Sequence, residues 1–187
     1  RLSDELLFRF DTLLTGTFPP LWAASFSWPH WFIGAVEFSF MYLVWFLMVL
    51  GAYLFIAHSR LFREAIGAFF LGLMILYAGW LMFPVLSPHD RFIDNIYKLP
   101  TPAAVQQYVE NYKPQEEIKV FLEGMRESKK GLDVLPTSTF PSAHVAWAVL
   151  LVYYAWRLQP LLGLIVFPFA ALSSLGTFLF AQHYFVD

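Results

Sequence analysis

The chain has 187 residues and a net charge of −2, with 58% hydrophobic and only 14% charged residues. Soluble domains carry about 25% charged residues, so an ordinary water-soluble fold is excluded, and with no basic excess or Lys/Arg block so is a nucleic-acid partner. The absence of cysteine removes disulfides, zinc–thiolate centres and thiol nucleophiles.

Beginning at Arg1 without a signal-peptide pattern, the sequence reads as the interior of a longer gene product. Its first element is an amphipathic helix. Ser3 is placed to cap it, Asp4 and Glu5 follow, and Leu6, Leu7, Phe10, Leu13 and Leu14 form one apolar face before Gly16. The stretch "FPPLW" then turns the chain toward an uncharged run, Phe38 to Ala57, long enough to cross a hydrocarbon core of ~30 Å at ~1.5 Å per residue. A second uncharged run covers Ala65 to Pro88. Glu37, near the outer end of the first span, reads as an interfacial residue rather than a catalytic one.

Between His89 and Thr139 the chain is polar but periodic. Thr101 reads as an N-cap with Pro102 at the first helical position, and Val105, Tyr108, Val109 and Tyr112 recur at helical spacing. A second helix is predicted in "PQEEIKVFLEGMRESKKG", with Glu116 and Glu117 early, Lys129 and Lys130 late, and an apolar stripe of Ile118, Phe121, Leu122 and Met125. Both read as amphipathic helices lying on the membrane or on the bundle, with a lid over a site as the sharper alternative. A short third span is predicted from Pro141 to Trp156, with Arg157 snorkelling at its end, and a fourth from Pro160 to Ala181, kinked at Pro168.

The loops "HSRLFRE" and "RLQP" are short and carry Arg, so the positive-inside rule assigns them to the cytoplasm. The polar segment, residues 89–140, then lies on the opposite, extracytoplasmic face as a helical insertion. The start of the third span, with Ser142 and His144, and the end of the fourth, with His183 and Asp187, share that face.

That coincidence gives the chemistry. His183 and Asp187 are four apart, so on a continuing helix a carboxylate would fix the imidazole tautomer and leave Nε2 as nucleophile or base. Ser142 and the free amides of a helix start make an anion site, and His144 beside them can protonate a leaving oxygen. A phosphate held between two histidines satisfies every member. Two His and one Asp lack a further clustered ligand, so no metal is expected, and no cofactor is implied.

In order and spacing, "FPSAH" and "HYFVD" resemble the second and third signatures of the type 2 phosphatidic acid phosphatase superfamily. Within it the closest likeness is to the branch containing inositol phosphorylceramide synthases. The resemblance implies an all-α, polytopic transmembrane bundle of six helices, four of them visible here, the first and last lying outside this chain. It implies a lipid phosphatase or phospholipid headgroup phosphotransferase acting through a phosphohistidine on His183, oriented by Asp187. His144 would be the acid for the leaving group, and Ser142 would bind phosphate. Where that family commonly has Arg, six residues before the nucleophile, this chain has Thr177. "FPVLSPHDRF" resembles the proline-rich first signature of the same branch, but lacks its Lys. Arg91 is the candidate phosphate-binding cation, with His89 as understudy. The expected partners are a lipid phosphate or phospholipid and the membrane. The rival is a non-catalytic membrane subunit or transporter keeping the fold. The spans carry no ionisable residue near their middle, as a transporter would.

Overall fold

The computed structural model describes residues 3–95, 98–129 and 139–186. All regular structure among them is helical: α1 (Asp4–Thr15), α2 (Pro19–Ala24), α3 (His30–Ala57), α4 (Ser59–Met82), a π-helical turn (His89–Ile93), α5 (Ala103–Glu110), α6 (Glu116–Lys129), α7 (Ala143–Leu158) and α8 (Pro160–Leu179). Helices α3, α4 and α8 are long and apolar enough to cross a membrane. This is the all-α architecture expected of an integral membrane protein. Of the four expected spans, α7 is the short one, at 16 residues.

The span boundaries differ from the sequence reading for local reasons. α3 starts eight residues early because the Pro29 carbonyl accepts the amides of Phe32 and Ile33 and nucleates the helix ahead of the uncharged run. "HSRLFRE" is not a loop: α4 begins at Ser59, leaving His58 as the only non-helical residue between α3 and α4. α4 stops at Met82, before Pro84, rather than reaching Pro88. Gln159 alone separates α7 from α8, which opens on Pro160, where a missing amide costs nothing.

The chain divides into two compact units. The first comprises Arg1–Ile33, Gly79–Pro141 and Thr177–Asp187, the second Gly34–Ala78 and Ser142–Gly176.

The core of the first unit is aromatic. Phe18, fully buried, has the rings of Phe8, Phe92, Tyr108 and Tyr184 at 5.0, 5.8, 6.0 and 6.0 Å. Leu7, Leu21, Val85, Val105 and Ala181 complete the cluster. The apolar residues of α5 and α6 are used as their periodicity predicts. Val105 is buried, and Tyr108, Val109 and Tyr112 pack on the same cluster. Ile118, Phe121 and Leu122 are buried, with Phe121 stacked 4.0 Å from Phe180. α5 begins one residue later than expected, with Pro102 rather than Thr101 at the N-cap and no side-chain cap bond. Gln115, just ahead of α6, exchanges hydrogen bonds with the amide and carbonyl of Trp28, at 2.6 and 3.0 Å.

Of the predicted apolar face of α1, only Leu7 is buried. Leu6, Phe10, Leu13 and Leu14 are exposed, while Asp4, Leu7, Phe8 and Asp11 are buried. Ser3 gives no side-chain cap; its carbonyl accepts the amides of Leu6 and Leu7 instead. The two acids turn inward because irregular backbone there needs acceptors.

The second unit is built from long apolar helices. Leu43, Leu50 and Leu54 of α3 pack with Ala148, Leu151 and Ala155 of α7 and with Ala170 of α8. Small residues permit the close approach, as is usual where lipid rather than water surrounds a bundle. At Gly163 an added Cβ would lie 2.8 Å from the Trp156 Cα, and at Gly176 2.9 Å from the Phe40 ring. Large side chains such as Trp45, Ile56, Met74 and Leu164 point outward, the pattern of a lipid-facing surface. Arg157 bridges Glu64 at 3.3 Å and donates to the Tyr153 hydroxyl at 2.9 Å.

Candidate active site

His183 does not continue α8, as the sequence reading required. The helix ends at Leu179 and the chain hooks away through Ala181, whose φ of 49° is left-handed. The Thr177 carbonyl accepts both the Gln182 and His183 amides, at 2.9 and 3.0 Å. The hook keeps His183 nearly buried, at 9% exposure. Asp187 lies outside the described residues. The helical i, i+4 argument for its pairing with His183 therefore has no helix to stand on. Thr177 itself is fully buried.

The first-signature residues reach the same hook. The His89 amide donates to the Ala181 carbonyl at 3.0 Å, so the π-helical turn is pinned two residues before His183. π-turns recur at functional sites because they re-aim side chains that a regular helix would stagger. His89 Nδ1 is 3.7 Å from Asp94 Oδ2, and Arg126 reaches the other Asp94 oxygen at 4.0 Å. Arg91 is buried, at 8% exposure. Its Nη2 donates to the Pro100 carbonyl at 2.9 Å, and its guanidinium carbon sits 5.0 Å from the Phe92 ring centre. Nη1 has no hydrogen-bond partner among the described residues. A buried guanidinium with a vacant donor is costly unless an anion is there to meet it.

Carboxylate ligands are present nearby. His89, Asp90 and Asp94 offer atoms within 4.8 Å of one another. Asp94 is already shared by His89 and Arg126.

Ser142 and His144 belong to the second unit. Ser142 is the N-cap of α7, its Oγ accepting the Val145 amide at 3.3 Å, and it is buried. His144 stacks flat on Phe40, with centroids 4.1 Å apart and planes 6° from parallel. Its Nε2 lies 3.3 Å from the Phe40 carbonyl; an acceptor there selects the donating tautomer. Just before this start, Pro141 is held in the first unit. The Trp80 indole donates to its carbonyl at 2.9 Å, and a Cβ on Gly79 would lie 2.4 Å from its ring.

Sequence reasoning missed the acids of α1. Both oxygens of Asp11 are used, Oδ2 by the Phe185 amide and Oδ1 by the Val186 amide, each at 2.9 Å. Asp4 Oδ1 accepts the Leu86 amide at 2.9 Å and the Tyr184 hydroxyl at 3.2 Å. Burial raises the Asp4 carboxyl above the ordinary carboxylate range, opposed by those two bonds and by the Arg91 charge. Burial and the Asp4 charge likewise push the Tyr184 phenol well up. The Tyr112 phenol, its hydroxyl buried and near the Asp94 charge, is raised too. The signal was present as D-x-x-L-F-x-x-D: positions 4, 7, 8 and 11 make one helical face with an acid at each end.

A model of the PAP2 superfamily matches residues 5–187. The chain finds no match among curated proteins or among solved structures.

Proposed function

Since the chain belongs to the PAP2 superfamily, we propose that it transfers a phosphoryl group from a membrane lipid through a phosphohistidine on His183. Membership supports phosphatase-type phosphoryl transfer in general; the lipid, the covalent intermediate and the residue roles are our reading. His183 attacks phosphorus, Asp187 orients its imidazole, and His144 protonates the departing oxygen. Ser142, Arg91 and His89 hold the phosphate oxygens. The site faces the extracytoplasmic side, because the Arg-bearing connections at His58 and Gln159 define the other side as cytoplasmic.

One observation carries this reading. Arg91 is buried, its Nη1 unpaired among the described residues, on a turn whose His89 amide is bonded to the Ala181 carbonyl, two residues before His183. A buried cation held without a full set of partners, on a turn bonded to the segment that carries His183, suits an anionic substrate.

The charge inventory favours headgroup transfer over simple hydrolysis. A phosphomonoester carries about two negative charges near neutral pH and a diester about one. Thr177, buried, stands where the superfamily commonly has a second Arg, and the first-signature Lys is absent. A site this poor in cations suits a phosphodiester donor and an alcohol acceptor, as in the inositol phosphorylceramide synthase-like branch.

The test is incubation of the protein in vesicles with a panel of labelled phospholipids, following free phosphate and new product lipids separately. Turnover should vanish in His183→Ala, and Asp187→Asn should retain a fraction of it. A His183→Ala variant with full activity on any substrate ends the mechanism. A strong preference for a monoester, with no product lipid formed, ends the transferase lean.

A further inference from the structure

A nucleophile is useful only when its aim is fixed, and His183 sits on irregular backbone with no helix to fix it. Every buried amide in such a segment needs an acceptor. On the near side the hook is closed by its own chain: Ala181 donates to the Phe178 carbonyl, and Gln182 and His183 share the Thr177 carbonyl. On the far side no backbone acceptor serves among the described residues. The amides of Phe185 and Val186 go instead to the two oxygens of Asp11, one each. Asp11 is fully buried. A single carbonyl can take two amides only at one shared oxygen, as that of Thr177 does on the near side. A two-pronged carboxylate fixes both, and so sets the direction of the backbone as well as its position. Seven residues earlier on the same face, Asp4 holds the Tyr184 hydroxyl and the Leu86 amide, tying the hook to the segment that leads into Arg91.

We propose that Asp11 is a positioning residue for the His183 nucleophile, with α1 as the rigid arm that sets the far side of the hook. The proposal rests on the reading of His183 as nucleophile. It adds a helix that the two signatures do not include, and it gives the inward-facing acids of α1 a task. The oxygens of Asp11 meet backbone amides rather than substrate, so its effect on the reaction passes through the placement of His183.

The experiment compares Asp11→Asn, Asp11→Glu, His183→Ala and Glu5→Gln in the full chain, in vesicles, with the labelled phospholipid panel as substrate. Asn keeps the shape of Asp but sets its NH2 group against one of the two donating amides. Its kcat should fall on the order of a hundredfold while KM stays nearly unchanged and the unfolding midpoint moves little. Hydrogen exchange should rise in the peptide covering residues 181–186 and not elsewhere. Glu keeps both acceptor oxygens at a small displacement and should recover part of kcat; it also supplies the reading should the Asn variant not accumulate. Glu5, exposed and paired with Arg9 on the outer face of α1, serves as the control, and its Gln variant should match the wild type.

A wild-type kcat in Asp11→Asn, with His183→Ala inactive, overturns the role of Asp11 and leaves the nucleophile standing. Activity in His183→Ala overturns the nucleophile and the present proposal together. A loss in both Asp11 variants that tracks a collapsed unfolding midpoint makes Asp11 a stability residue and overturns the positioning role.

Discussion

The two units solve the same problem, satisfying backbone inside an apolar protein, by opposite means. In the second unit nearly all the backbone is helical, so most amides find their partner within their own helix. Side chains there are free to pack, through Ala148, Ala155, Gly163, Ala170 and Gly176. The first unit contains the chain's irregular stretches, around Ser87, Pro100 and Gln182. Their amides and carbonyls are met by polar side chains: Asp4, Asp11, Ser87, Gln115 and Trp80. Helix is the cheap solution where lipid surrounds the chain. Irregular backbone is used where a functional group must be aimed, and it recruits buried acids to make that tolerable.

If the contrast is right, the units should break differently. The largest effect is expected at Phe18, whose ring is the hub for Phe8, Phe92, Tyr108 and Tyr184. Phe18→Ala should cost about 3–5 kcal/mol, measured by unfolding in mixed micelles. It should also loosen the hook at residues 181–186, because Tyr184 loses its neighbour; hydrogen exchange on that peptide reports it. An unchanged exchange rate there would show that the hook is held by its polar contacts alone.

Gly163→Ala probes the second unit. The added methyl meets the Cα and Cβ of Trp156, which cannot move without moving α7. A cost of about 1–3 kcal/mol is expected from this overpacking, with no change in exchange at the hook. A variant as stable as the wild type would mean that the α7–α8 approach is less tight than its geometry.

The smallest effect separates acid from acceptor. Burial raises the Asp4 carboxyl above its unfolded value, so the fold favours its protonated form. That contribution is fully present below the ordinary carboxylate range and is lost as pH rises through the raised native value. Asp4→Asn keeps an oxygen to accept from Leu86 and Tyr184 and removes the titration. Unfolding measured from mildly acidic to neutral pH should show the wild type losing stability relative to the variant as pH rises. A difference independent of pH would remove burial as the cause.

Much of this molecule is legible in its sequence. Composition and four apolar runs gave the membrane class, and three of those runs are helices of spanning length. The spacing of Val105, Tyr108, Val109 and Tyr112, and of Ile118, Phe121 and Leu122, correctly gave two helices and their buried faces. The residues "FPSAH" and "HYFVD" led to the superfamily. Ser142 as the N-cap of α7 was readable as well, because capping is decided within a single turn.

Tertiary structure alone decided the rest. Periodicity reports that a face is apolar, not whether protein or lipid will cover it, so the leucines of α1 did not reveal that the helix would bury Asp4 and Asp11. The helical continuation to His183 failed because the Thr177 carbonyl takes the Gln182 and His183 amides and closes a hook, a choice made by surroundings rather than propensity. Gly79 looks like any small residue of a span until Pro141 is placed against it. Asp4 and Asp11 look like a soluble helix's polar residues until the amides they serve, more than eighty and one hundred and seventy positions away, are brought to them. Apolar burial and helix capping are written locally and can be read along the chain. Which distant backbone group will lack a partner, and which side chain will turn inward to supply it, exists only once the chain has folded.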